Sequence, residues 1–286
     1  MHAGFHWRIT EESYLRMESD FRLMSSMGLT HCTCGIRIPG FYQSPRSKHF
    51  TDVLDANGID LEVLSVSLGQ PTVYDLIEGP ITVGFVPPEY REQRYPVLRD
   101  AAEFASSIGV KYVLTHFGFI PEDQYDPKYE DVVKVAQKVA DICGEFGVTF
   151  LFETGEETPT TLLRLLEDAG KPNLKVNLDM ANLIAYGKGE PCGAIDVLKD
   201  HIVGADAKDS LYPTGGRELG VEVPLGQGRV DLQGAISKLF DIGYDGTISI
   251  EREAHTLEGR IEGIVSGKKI VEGLIEIEAN KRIAKK

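Results

Sequence analysis

Short runs of apolar and β-branched residues alternate along the chain with longer stretches in which apolar residues recur every three or four positions. The runs at 30–38 (THCTCGIRI) and 59–68 (IDLEVLSVSL) are bounded by Gly and Pro and predict strands. Further strand signals follow at 111–116, 148–153, 174–179, 202–208 and 246–251. Between them, stretches such as 129–143 and 160–169 carry the spacing of amphipathic helices. Gly28, Gly58, Gly109, Gly147 and Gly243 each stand just before a strand, where a left-handed residue would close the preceding helix. This alternation predicts parallel strands. With a shorter signal at 2–7 (HAGFHW), the count is that of a closed (β/α)₈ TIM barrel, one α/β domain over 1–286. An open doubly wound sheet is disfavoured because no G-x-G-x-x-G follows the first strand. The longest irregular stretches, about 69–88 and 209–229, are rich in Gly and Pro and are expected to be functional or mobile loops.

Composition narrows the class without changing this fold. Hydrophobic residues make up 42% and charged residues 26% of the chain, as in folded globular proteins, and disorder has no support. No run of 18 apolar residues marks a membrane span, and MHAGFHWRIT is too short and polar for a signal peptide, so a cytoplasmic location is expected. A net charge of −14 opposes contact with a phosphate backbone. The one basic cluster, Lys281, Arg282, Lys285 and Lys286, reads as a solvated helix end. Neither nucleic acid nor a membrane is an expected partner. Cys32, Cys34, Cys143 and Cys192 read as free thiols, since a C-x-C pair with no second pair at ligand spacing is weak evidence for zinc.

Chemistry enters at the strand ends. Glu153 in FLFETGEE, Asp179 in KVNLDMAN, Asp206 in GADAKD and Glu251 in TISIERE each close an otherwise apolar strand or stand within two residues of its end. A carboxylate in that position is costly to bury, and four on successive barrel strands would converge on one rim. Like charges so close cannot all ionise unaided, and a divalent cation removes the repulsion. An all-oxygen shell suits Mg²⁺, Mn²⁺ or Co²⁺ better than Zn²⁺. The competing explanation is that each acid caps the helix that follows it. Against it, Thr158 and Ser210 already stand where uncharged caps would go.

These acids belong to a set of motifs spread over nearly the whole chain: FETGEET at 152–158, NLDMANL at 177–183, KD at 208–209, PLGQG at 224–228 and SIER at 249–252. In this order and spacing the chain resembles the sugar isomerase/epimerase family with xylose isomerase-like barrels, which includes ketose 3-epimerases and sugar phosphate isomerases. The resemblance implies metal ligands at Glu153, Asp179 and Glu251 and a fourth two residues before the KD. That fourth ligand is commonly histidine in the family. Here it is Asp206, which makes the expected shell wholly carboxylate, as in xylose isomerases. The resemblance also implies a Lewis-acid metal on a hydroxy-ketone, with Glu153 and Glu251, on strands five and eight, moving the proton next to the carbonyl on opposite faces. That is 3-epimerisation; return of the proton to the adjacent carbon gives aldose–ketose isomerisation.

Around these four, His116, Glu156, Asn182 and Arg217 are expected substrate contacts, Arg217 through a phosphate, whereas Lys208 and Arg252 are expected to point away along their strands. A small carbohydrate is the expected partner, and a homo-oligomer is compatible with the sequence. Three other readings stand beside the isomerase or epimerase. An inosose dehydratase-like lyase would expel a β-hydroxyl from the same enediolate. An abasic-site endonuclease of the related barrel family would need a histidine-rich metal cluster and a basic face, whereas only His116 and His201 of the seven histidines are read at the strands. A non-catalytic sugar-binding barrel would have kept the fold after Asp206 replaced the usual ligand.

Overall fold

In the computed structural model, which describes residues 1–284, eight parallel strands close into a barrel. They are β1 (His2–Ile9), β2 (His31–Ile36), β3 (Asp60–Val66), β4 (Tyr112–Thr115), β5 (Thr149–Glu153), β6 (Leu174–Asp179), β7 (Ile202–Ala207) and β8 (Thr247–Ile250). β1 closes the ring by pairing with both β2 and β8. Each predicted strand is present, including the weakly signalled first. Helices between the strands cover the outside, among them Tyr129–Gly144 and Pro159–Ala169, where the sequence predicts helices over 129–143 and 160–169, and the helix Leu257–Ile283 packs against β1 and β8. The five glycines read as helix stops all have positive φ, from +60° at Gly58 to +78° at Gly109, a region open to Gly at no steric cost. Thr158 caps its helix through a bond from the Thr161 amide, as expected. Ser210 does not cap. It pairs with Glu222 in a two-residue antiparallel ladder, and its hydroxyl donates to the Ala181 carbonyl at 3.1 Å. Lys285 and Lys286 of the basic cluster lie outside the described residues.

Strand alternation divides the side chains between two environments. Phe5, Trp7 and Ile9 of β1, with Cys32, Cys34 and Ile36 of β2, join the apolar layer beneath the helices. The four cysteines are free. Inside the barrel, Val63, Leu114 and Leu151 form a small apolar cluster. Tyr112 and Val203 pack against it, and the remaining interior positions are largely polar or small where branched residues usually fill a TIM barrel. Thr33 and Ser249 share a 3.1 Å hydroxyl contact there, and Gly204 leaves space for Asn177. A Cβ at Gly204 would stand 2.4 Å from Asn177 Oδ1. This polar interior lies directly beneath the C-terminal rim.

The irregular stretch at 69–88 is anchored by Arg94, which is fully buried without a carboxylate partner. Its guanidinium donates to the carbonyls of Pro71 at 2.6 Å, Thr82 at 2.7 Å and Gly84. The loop so held carries Tyr74, whose ring stands 5.0 Å from that of His116 at the rim. Arg94→Met would leave three carbonyls unpaired. At about 1 kcal/mol or more for each buried acceptor, unfolding free energy should fall by roughly 3 kcal/mol in urea denaturation.

Candidate metal centre

Glu153 ends β5, Asp179 ends β6, Asp206 is the penultimate residue of β7, and Glu251 follows β8 directly. The strand register sets Asp179 beside Asp206 and Glu153 beside Asn177. All four acids are buried, and each presents an oxygen within 4.8 Å of the others. The expected convergence on one rim is therefore present. The capping explanation holds for a single oxygen: Asp179 Oδ1 accepts from the amides of Ala181 and Asn182 at 2.7 and 2.8 Å, at the start of the short helix Asn182–Ala185.

The supports of the four acids differ in charge. Asn177 Nδ2 donates to Asp206 Oδ2 at 2.6 Å and to Glu153 Oε2 at 3.3 Å, and Asn182 Nδ2 reaches Glu153 Oε1 at 3.4 Å. Glu251 instead faces cations: Arg8 Nη2 donates to Oε1 at 2.6 Å and Lys208 Nζ to Oε2 at 3.2 Å. His6 Nδ1 lies 3.7 Å from Glu251 and 3.8 Å from Asp206. The consequence is a split in acidity. Burial, then the charges of Asp206, Asp179 and Glu251, raises the Glu153 carboxyl well above its usual range. Burial acts on Glu251 too, but Lys208, His6 and Arg8 outweigh it and hold that carboxyl well below the usual range.

These residues fit a hard divalent cation. Asp179 Oδ2 and Asp206 Oδ1 are buried without a hydrogen-bond partner, as are both oxygens of Glu156 nearby. Spacings up to 4.8 Å match oxygens on opposite sides of one ion, given metal–oxygen bonds of about 2.0–2.6 Å. Asp179 gives the fit a pH dependence. Burial pushes it up from 3.8 to about 7, so without an ion the folded chain holds a proton that the unfolded chain has released. Stability of the ion-free protein should therefore fall as pH rises from about 4 to about 7. An ion would replace that proton, so the rise in melting temperature given by Mn²⁺ should be small at pH 5 and larger at pH 8. Melting curves with Mn²⁺ or chelator at both pH values check it, and an equal shift at both would contradict it.

The comparison that decides the family covers most of the chain: residues 21–274 match the family model for the xylose isomerase-like TIM barrel. The chain belongs to that family. Among solved structures, a xylose isomerase domain protein from Planctomyces limnophilus superposes with a TM-score of 0.87 at 28% identity, over 97% of this chain and 98% of that one. A D-tagatose 3-epimerase-like protein superposes with a TM-score of 0.75 at 21% identity, over 98% and 99% of the two chains. An uncharacterized protein of Methanocaldococcus jannaschii is 25% identical over 199 residues, which span 66% of this chain and 64% of that protein's length.

In this xylose isomerase-like barrel the expected substrate contacts separate. His116, Asn182 and Glu156 gather at the cluster. Asn182 bridges Glu153 and Lys208, and His116 Nδ1 lies 2.6 Å from Glu156 Oε1 at an angle too poor for a hydrogen bond. Arg217 does not join them. It is exposed, and lines an open cavity of about 720 Å³ between the 211–221 loop and Ile77. Arg252 points away as expected and pairs with Glu222. Lys208 does the opposite of what was expected: it stands two residues after Asp206 and so shares its face, with Nζ 3.6 Å from Asp179 Oδ2. The count of histidines at strands is corrected as well, since His2 and His6 lie on β1 and His31 on β2. Sequence reasoning also missed Arg8, Asn177, Tyr74 and Tyr186. With Arg37, Tyr74 and Tyr186 line a cavity of about 150 Å³ that opens above Lys208 and Glu253.

Proposed function

We propose that this barrel is a divalent-metal-dependent sugar isomerase or epimerase whose Glu153 and Glu251 move the proton next to the carbonyl of a ketose or ketose phosphate. The observation that carries the reading is the buried four-carboxylate cluster, in which these two glutamates have acidities pushed in opposite directions. That split separates an acid from a base. A cation held by Glu153, Asp179, Asp206 and Glu251 would supply Lewis acidity to the oxygens of a hydroxy-ketone. Glu251, kept ionised by Arg8 and Lys208, takes the carbon-bound proton. Glu153, whose charged form is disfavoured, gives a proton back from β5. Lys208 and Asn182 stand where they can hydrogen-bond substrate oxygens, and Tyr74 and Tyr186 offer aromatic walls to the cavity.

Protonation on the opposite face of the same carbon gives a 3-epimer, and on the neighbouring carbon an aldose. Loss of a β-hydroxyl from the enediolate gives a dehydrated product. Incubation of the Mn²⁺-treated protein with ketoses, ketose phosphates and inososes, read by NMR, distinguishes these outcomes. An epimer or aldose that disappears with chelator is expected. A dehydrated product alone would replace the isomerase reading with the lyase, and binding without turnover across the panel would leave a sugar-binding barrel.

A further inference from the structure

At the opposite, N-terminal mouth of the barrel, three strands bring two imidazoles and a carboxylate together. His2 opens β1, His31 opens β2, and Glu62 stands near the start of β3. His31 Nδ1 is 2.9 Å and His2 Nε2 3.6 Å from the same oxygen, Glu62 Oε1, and the two rings lie 4.1 Å apart. All three residues are half-buried.

We propose that His2, His31 and Glu62 form a second metal site, selective for a borderline divalent ion such as Zn²⁺ and separate from the four-carboxylate cluster. Two nitrogens and one carboxylate oxygen are the donor set that suits zinc, whereas the rim offers only oxygen. Bonds of about 2.0–2.2 Å around one ion place neighbouring ligand atoms roughly 3–3.5 Å apart, close to the spacings present here.

The strand pairing explains how the carboxylate reaches this place. β2 and β3 slip register at Cys32/Thr33, where Cys32 pairs with Leu61 and Thr33 with Val63, so Glu62 is the unpaired residue of a bulge. Leu61 and Leu64 face the outer apolar layer, while Val63 faces the interior. Regular alternation would have turned Glu62 outward with Leu64. The bulge turns it to His31 instead, beside a cavity of about 310 Å³ that Glu62, Thr33 and Thr247 line. That cavity leaves room for water to complete the coordination. His2 Nε2, now 2.6 Å from the Thr247 hydroxyl, would exchange that contact for the ion. Burial and the neighbouring His31 lower the pKa of His2 and favour the neutral imidazole that binds metal. Such an ion would tie β1, β2 and β3 at the end of the barrel that serves stability.

The test is equilibrium dialysis of the full chain against Zn²⁺ and, separately, Mn²⁺, with Cu²⁺ electron paramagnetic resonance to count nitrogen ligands. His31→Ala and Glu62→Gln should each weaken one Zn²⁺ equivalent by more than the roughly 10–100-fold typical of residues that only support a ligand. His31→Ala should also remove one nitrogen from the Cu²⁺ spectrum. Mn²⁺ stoichiometry should stay at the wild-type value in both variants, which shows that barrel and rim are intact. Zn²⁺ binding unchanged in both variants would overturn the proposal. So would Zn²⁺ binding that only His2→Ala abolishes, because the ion would then belong to the chain's first residues alone.

Discussion

Glu153→Gln and Glu251→Gln are each expected to reduce turnover by at least roughly 10²-fold, the lower end for loss of a general acid–base group. Glutamine keeps the shape of glutamate and removes only its charge and proton, so the loss reports chemistry rather than packing. The two variants should differ in stability. Glu251 is the shared partner of half-buried Arg8 and buried Lys208, and its neutralisation leaves Glu253 as the one counter-charge they still share, so the protein should be destabilised. Glu153 has amide partners and acidic neighbours. Its charged form is already disfavoured, so a neutral amide there costs little and the ion-free protein should melt close to the wild-type temperature. Metal content measured in the same samples separates loss of the acid or base from loss of the ion. Full turnover in either metallated variant would remove that glutamate from the mechanism.

Cation affinity should move in opposite directions at two neighbouring positions. Asp179→Asn keeps an oxygen for the Ala181 and Asn182 amides but withdraws the charge that Oδ2 offers the cluster. Loss of a direct ligand should weaken Mn²⁺ by at least about 10²-fold, beyond the usual effect of a supporting residue. Lys208→Met removes a buried positive charge 3.6 Å from Asp179 and 3.2 Å from Glu251. Unit charges at that range interact by about 4 kcal/mol at an effective dielectric near 20, so Mn²⁺ should bind at least tenfold tighter while turnover falls. Calorimetric titration of both variants reads the two signs. Weaker binding in Lys208→Met would mean that the lysine supports the cation site rather than opposing it.

The barrel was legible because its strands are buried on both faces and its helices end at left-handed glycines such as Gly58 and Gly147. The four acids were legible because a carboxylate at the end of an apolar run has few inexpensive explanations. β1 gave a weak signal because its inward face carries His6 and Arg8, so site residues diluted the apolar pattern that marks a strand. Lys208 was misjudged although its parity with Asp206 is visible in the sequence; the alternation continues one residue past the end of β7. Arg94 left no such trace, since an arginine within a helix ordinarily reads as solvated and only the fold of a distant loop buries it. The turn of Glu62 toward His31 depends on a register slip between two strands, which neither strand's sequence specifies alone.

The most direct measurement is solvent hydrogen exchange at carbon, followed by NMR in D₂O with the Mn²⁺-loaded protein and a panel of ketoses and ketose phosphates. Deuterium should enter at the carbon next to the carbonyl of at least one of these sugars, and chelator, Glu153→Gln or Glu251→Gln should each suppress it. No deuterium incorporation into any of them by fully metallated wild-type protein, or undiminished incorporation by the metallated double variant, would contradict proton transfer by these two carboxylates.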